Sequence, residues 1–281
     1  MFKRIAWKRI LYLFTWLICL GGLITLISFI NVKKGQLRCK DIKVIIPGTA
    51  GFIDRKEVNR IIQEHSGLLL GKLFQEISTH KIEALLKKNP YIKDAEVFAD
   101  MDGTVHIKVI QSEPILRVIN YTNQNFYIDR LGNKLPPSMD YTPHVLVANG
   151  YIMESYTKKM DSLKTSTARD LYKIALYIEK DTLWKDQIEQ LYVNQQNEIE
   201  LVPRVGDQKI ILGNADSLEI RFNNLKAFYK KAMPAVGWNA YKTINIKYTN
   251  QIICEKNLAD SSWIISAAIK KENIKDTTIR K

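Results

Sequence analysis

Apolar residues gather first in one unbroken run. From Ile10 to Ile30 no residue is charged, and a helix over this stretch rises about 30 Å, the thickness of a bilayer's hydrocarbon core. Lys3, Arg4, Lys8 and Arg9 precede the run, and Lys33, Lys34 and Arg38 follow it. The pattern predicts a membrane-spanning helix over 10–30, with residues 1–9 as a cytoplasmic tail and 31–40 as a basic stalk. A cleaved signal peptide has a shorter apolar region that ends in small residues, and Ser28-Phe29-Ile30-Asn31-Val32 is a poor cleavage site. A buried helix of a soluble protein normally keeps a polar face, which this run lacks.

Beyond the run the pattern alternates. Ile42, Val44 and Ile46 predict a strand that Pro47-Gly48 stops. Asp54 and Glu57 have capping-box spacing, and Ile53 and Val58 are placed as a hydrophobic staple. Val58, Ile61, Ile62 and His65 then line one face of a helix that Gly67 closes. A second helix over 79–88 turns Ile82, Leu85 and Leu86 inward, and Pro90 enforces its end. Ile92, Ala95, Val97 and Phe98 predict a strand, Asp102-Gly103 a hairpin turn, and Val105, Ile107 and Val109 its return. Two helices between one strand and a hairpin pack on one face of a three-stranded sheet.

The second half repeats neither pattern. A strand at Phe126–Asp129 meets a turn at Gly132, and Pro136-Pro137 stop the short strand that follows. His144–Val147 is a brief extended run. Leu171, Ile174, Ala175 and Ile178 form the stripe of a helix over 168–179. Strands follow at 188–193, 198–202 and 209–212. Asp216 and Glu219 form a second capping-box candidate, and Leu218, Phe222, Leu225 and Tyr229 the stripe of its helix, which Pro234 closes. Strands at 241–248 and 252–255 are joined through Thr249-Asn250-Gln251. The predicted fold class is therefore α+β: an N-terminal transmembrane helix, a βααββ domain over 41–112, and a second mixed α/β domain on an antiparallel-rich sheet over 113–255. A polar tail over 256–281 has Trp263, Ile264, Ala267 and Ala268 on one side of a short helix.

The net charge of +13 among 281 residues is spread over many short segments. It suits anionic lipid headgroups or an acidic partner. No basic stripe with interleaved aromatics exists, which argues against nucleic acid. Cys19 is an apolar filler of the first run, while Cys39 and Cys254 are equally compatible with a bridge and with two thiols. The four histidines, at 65, 80, 106 and 144, lack metal-ligand spacing. There is no nucleophile elbow, Walker loop or dinucleotide fingerprint, and a solvated hairpin explains Glu96, Asp100 and Asp102. The motifs supply no catalytic, cofactor-binding or metal residue, so the chain is expected not to be an enzyme.

Ile42 to Val109 resembles a POTRA domain. Asn89-Pro90-Tyr91-Ile92-Lys93-Asp94-Ala95-Glu96-Val97, with the Asp-Gly turn and Val105–Val109, is similar to the end of that module in the FtsQ/DivIB family of bacterial division proteins. Gln111-Ser112-Glu113-Pro114-Ile115 resembles the family's hinge, Phe126–Pro137 the opening of its second domain, and Ile244–Tyr248 its closing strand. The resemblance implies a non-catalytic, bitopic scaffold in the bacterial inner membrane at the division septum, linking early and late septal proteins. Its implied partners are FtsB/DivIC-like and FtsL-like coiled-coil proteins, the division DNA translocase, the septal peptidoglycan synthase and the lipid bilayer. The recognition mode would be β-augmentation at the C-terminal sheet edge, with Lys247, Tyr248, Ile252 and Ile253 as candidate partner-binding residues. Ile252 and Ile253 should face opposite sides. A core-edge aromatic and a solvated lysine are the plainer accounts of Tyr248 and Lys247. Asn250-Gln251 stands where the family often has a glycine-containing turn. Two other functions compete: a POTRA-containing transport or outer-membrane assembly factor, and a membrane-tethered extracytoplasmic enzyme whose residues converge only in three dimensions.

Overall fold

The computed structural model describes residues 7–35, 37–48, 51–157 and 161–257, and the chain divides into two compact units between Gln111 and Ser112. The first helix, α1 (Trp7–Gly35), precedes the first sheet. Among the described residues no helix is long and apolar enough to cross a membrane. That finding corrects the expected transmembrane helix over 10–30. The bitopic topology, the single-pass inner-membrane placement and the tethered forms of scaffold and enzyme go with it.

In the first unit, β1 (Asp41–Ile45) is followed by α2 (Arg55–Ser66), α3 (Thr79–Leu86), β2 (Ile92–Ala99) and β3 (Thr104–Gln111). The Asp54 carboxylate accepts the Glu57 N–H at 2.7 Å and starts α2. The Glu57 carboxylate turns to Arg60 instead of back to the cap. Gly67, at φ 69°, closes the helix. α3 ends earlier than the expected Lys88, because Lys88 and Asn89 N–H groups reach Leu85 and Leu86 carbonyls in a tighter turn before Pro90. The sheet order is β1-β3-β2, with β1 parallel and β2 antiparallel to β3. Val44, Ile107 and Val97 stand in one buried row across it.

Among the described residues the second unit is built on a nine-stranded sheet. Its strands are β4 (Pro114–Ile119), β5 (Asn125–Asp129), β6 (Lys134–Leu135), β7 (Leu146–Gly150), β8 (Ile188–Val193), β9 (Ile199–Pro203), β10 (Lys209–Gly213), β11 (Tyr241–Asn245) and β12 (Ile253–Lys256). The order is β12-β11-β10-β9-β8-β7-β4-β5-β6. Parallel contacts occur at β4–β7, β7–β8 and β10–β11, and the rest are antiparallel. Each β7–β8 and β10–β11 crossover carries helices: α4 (Ser166–Lys180) and α5 (Thr182–Gln187) in the first, α6 (Leu218–Lys231) and α7 (Met233–Val236) in the second. Phe126, Leu171, Ile174, Trp184, Leu191 and Phe222 belong to the core between sheet and helices.

Three local expectations change. α5 escaped the periodicity because it is only six residues long; Asp181 ends α4 and caps α5, accepting the Leu183 N–H at 2.9 Å. No capping box opens α6. The Asn214 amide engages the Asp216 carboxylate at 2.5 Å, and Ser217 enters the helix from φ 49°. β11 ends at Asn245, not Tyr248, because the Asn245 side-chain oxygen accepts the Lys247 N–H at 3.0 Å and turns the chain. Cys19, Cys39 and Cys254 are unbridged thiols. The expected helix around Trp263 lies outside the described residues.

A candidate protein-binding edge

The crossover from β10 through α6 to β11 brings the last hairpin to one end of the sheet. β12 pairs antiparallel with β11, Ile244 opposite Cys254, and with no other strand among the described residues. Its cross-strand contacts with β11 include the Thr243 hydroxyl on the Glu255 carboxylate at 3.2 Å. A terminal strand leaves every second backbone N–H and C=O pointing outward, where an added strand can satisfy them.

The four expected contact residues occupy different environments. Tyr248 is 45% and Ile253 48% exposed. Ile252 turns the other way and packs against the core. Lys247 bonds and pairs with Glu198, from the turn between β8 and β9. Its aliphatic stem crosses Gly213, where a Cβ would lie 3.0 Å from Lys247 Cγ. The loop between the strands is also fastened to α6, because the Asn224 amide donates to the Thr249 carbonyl at 2.8 Å. Burial pushes the Cys254 thiol pKa upward, which disfavours the reactive thiolate. Tyr248 and Ile253 are therefore each exposed in the closing hairpin, while Lys247, its side chain 33% exposed, is engaged by Glu198.

Glu198, Gly213 and Asn224 were not among the residues expected to shape this edge. Each is distant in sequence from the loop it holds, and nothing in local periodicity links them. Only the sheet order brings them together.

The polar clusters elsewhere serve local structure. His106 Nε2 lies 2.9 Å from Asp100, and its ring stacks on Phe98 with centroids 4.9 Å apart. His65 Nδ1 meets the Ile61 carbonyl at 3.1 Å, and His80 faces Glu83 at 3.3 Å. His144 lines an open cleft of about 420 Å³ with Glu179, Lys185 and Arg204. Among the described residues no group of three or more His, Cys, Asp or Glu side chains could hold a metal ion.

Comparison with known proteins bears on both units. A family model described as FtsQ/DivIB, C-terminal related, matches residues 113–255, and a POTRA-like domain model matches residues 37–110. The cell division protein FtsQ of Rickettsia felis is 28% identical over 117 residues. That match covers 42% of this chain and 42% of the relative, so it spans less than half of the relative's length.

Proposed function

The chain belongs to the FtsQ/DivIB family, and from that premise we propose that it is a non-catalytic scaffold whose two units bind components of the bacterial division apparatus. Its specific partner would be a coiled-coil division protein of the FtsB/DivIC or FtsL kind, which adds an extended segment to β12. The observation that carries this reading is the position of β12: among the described residues it ends the sheet, at the close of the matched segment, and it carries exposed Ile253 shortly after exposed Tyr248. The division DNA translocase and the septal peptidoglycan synthase are further candidate partners. The scaffold does not depend on a membrane span in this form.

Backbone pairing would supply affinity, and the side chains beside the edge selectivity. Tyr248 offers ring area and a hydroxyl, while Ile253 offers apolar contact. Lys247 would meet an acidic partner only by exchanging Glu198 for it. The test is the affinity of the full chain for a purified coiled-coil partner, compared with that of Tyr248→Lys. A loss of ten-fold or more with an unchanged circular dichroism spectrum supports the edge; equal affinity in a folded variant rejects it.

A second reading is a POTRA-containing transport or outer-membrane assembly factor. It is favoured by the POTRA-like segment at 37–110 and does not require a spanning helix, consistent with the described residues. It would have the chain capture unfolded outer-membrane β-barrel precursors and ignore the coiled-coil protein. Parallel titrations of both ligands separate the two readings.

A further inference from the structure

We infer that residues 263–268, in the segment that follows β12, seat on an apolar patch made by Val236 of α7 and Trp238 of the loop before β11, and so clasp the Lys256 end of β12 to the second unit. This inference concerns a surface other than the β12 edge and rests on no division partner.

The patch is built by the turn that closes the β10–β11 crossover. α7 is four residues long, a single turn that can bury only one side. Met233 enters the core at 1% exposed, while Val236 is left 41% exposed. Gly237, at φ 85°, ends the turn by donating its N–H to the Met233 carbonyl at 2.8 Å, and the chain passes to Trp238. There the indole meets the Tyr229 ring of α6 edge to face, with centroids 5.2 Å apart, and remains 39% exposed. Two apolar side chains, two residues apart, are thus held in place with one side toward water.

The chain itself supplies the cover. Lys256 stands opposite Tyr241 in the last hairpin, and the Asn257 N–H then donates to the Ala240 carbonyl at 2.9 Å. The chain therefore leaves β12 beside Ala240, two residues after Trp238 and about 7 Å from it at most. In the sequence beyond the described residues, Trp263, Ile264, Ala267 and Ala268 recur at helical spacing, and the two alanines leave room for an indole ring. Residues 258–262 separate Asn257 from Trp263, a stretch that reaches about 20 Å when extended. The patch is therefore within range. So short a tether gives an effective concentration on the order of millimolar, and the segment outcompetes a second copy of the chain at micromolar levels. Apolar burial supplies the attraction, and the short loop keeps the entropic cost of closure small.

The test incorporates fluorotryptophan into the full-length chain and follows its fluorine resonances, assigned through Trp184→Phe, Trp238→Phe and Trp263→Phe. Ile264→Glu/Ala267→Glu, which alters only the segment beyond Asn257, should move the Trp238 resonance and leave that of the core residue Trp184 in place. It should also speed exchange of the Gly237 and Asn257 amides at least ten-fold. In the other direction, Val236→Glu should move the Trp263 resonance, with an unchanged Trp184 signal showing that the fold persists. Unmoved Trp238 and Trp263 resonances in the folded variants would overturn the inference. So would a Trp238 shift that depends on protein concentration, because it would put a second copy on the patch.

Discussion

A single buried ion pair illustrates the scale of the residue. Lys134 and Glu154 side chains are 0% and 1% exposed and lie 2.5 Å apart. Lys134 also donates to the Ser155 carbonyl at 2.9 Å. The Glu154 carboxylate accepts from the backbone of Lys164 and Thr165 and from the Thr165 hydroxyl. Burial alone pushes this carboxyl upward, but Lys134 and the Thr165 and Lys164 donors outweigh it and hold it below the usual carboxylate range. The pair pins the segment after β7 to β6 and to the start of α4. Lys134→Met leaves that carboxylate buried without its cation and should cost about 3–5 kcal/mol, read by denaturant unfolding. Because the folded carboxyl is depressed, its stabilisation is complete above the unfolded pKa of about 4.3 and disappears as pH falls through the folded value. The difference in melting temperature between the native chain and Glu154→Gln should therefore shrink as pH is lowered through the acid range below 4.

At the scale of the element, strand ends depend on backbone freedom that no side-chain pattern reports. Gly150 closes β7 at φ 101°, and a Cβ there would lie 2.3 Å from the Val193 carbonyl of β8. The same carbonyl accepts the Tyr151 N–H at 2.8 Å. Gly150→Ala should thus strain the β7–β8 junction by at least about 1–3 kcal/mol, and a thermal melt will show it as a lowered midpoint. α2 is less sensitive. Asp54→Ala removes one cap bond and should cost about 1 kcal/mol, seen as faster amide exchange in the first turn of that helix. The contrast follows from geometry: a cap loss exposes donors to water, whereas a misplaced Cβ pushes backbone against backbone. β12 is short and has one neighbour among the described residues, so its amides should exchange before those of β8 and β9 and become protected when a partner strand adds.

For the molecule as a whole, binding at the β12 edge should be separable from folding. Tyr248, 45% exposed, can be changed to lysine with weakened binding of the coiled-coil partner and an unchanged unfolding midpoint; calorimetric titration beside a thermal melt checks this. Much of the architecture was legible in sequence. Alternation and capping gave the βααββ order of the first unit, and turn residues gave the strand succession of the second, because period, glycine and proline act on neighbouring residues. The strand succession did not reveal that β10 and β11 run parallel around α6, that Asn245 ends β11 early, or that Glu198 and Asn224 fasten the loop carrying Tyr248. Nor did the apolar run at 10–30 yield a spanning helix among the described residues. What the sequence determined by itself was the kind and order of the elements, since periodicity within a segment is a local property. Which strand lies at an edge, and which side chain stays exposed beside it, was decided only by tertiary structure, because hydrogen-bond partners and burial come from segments far apart in the chain.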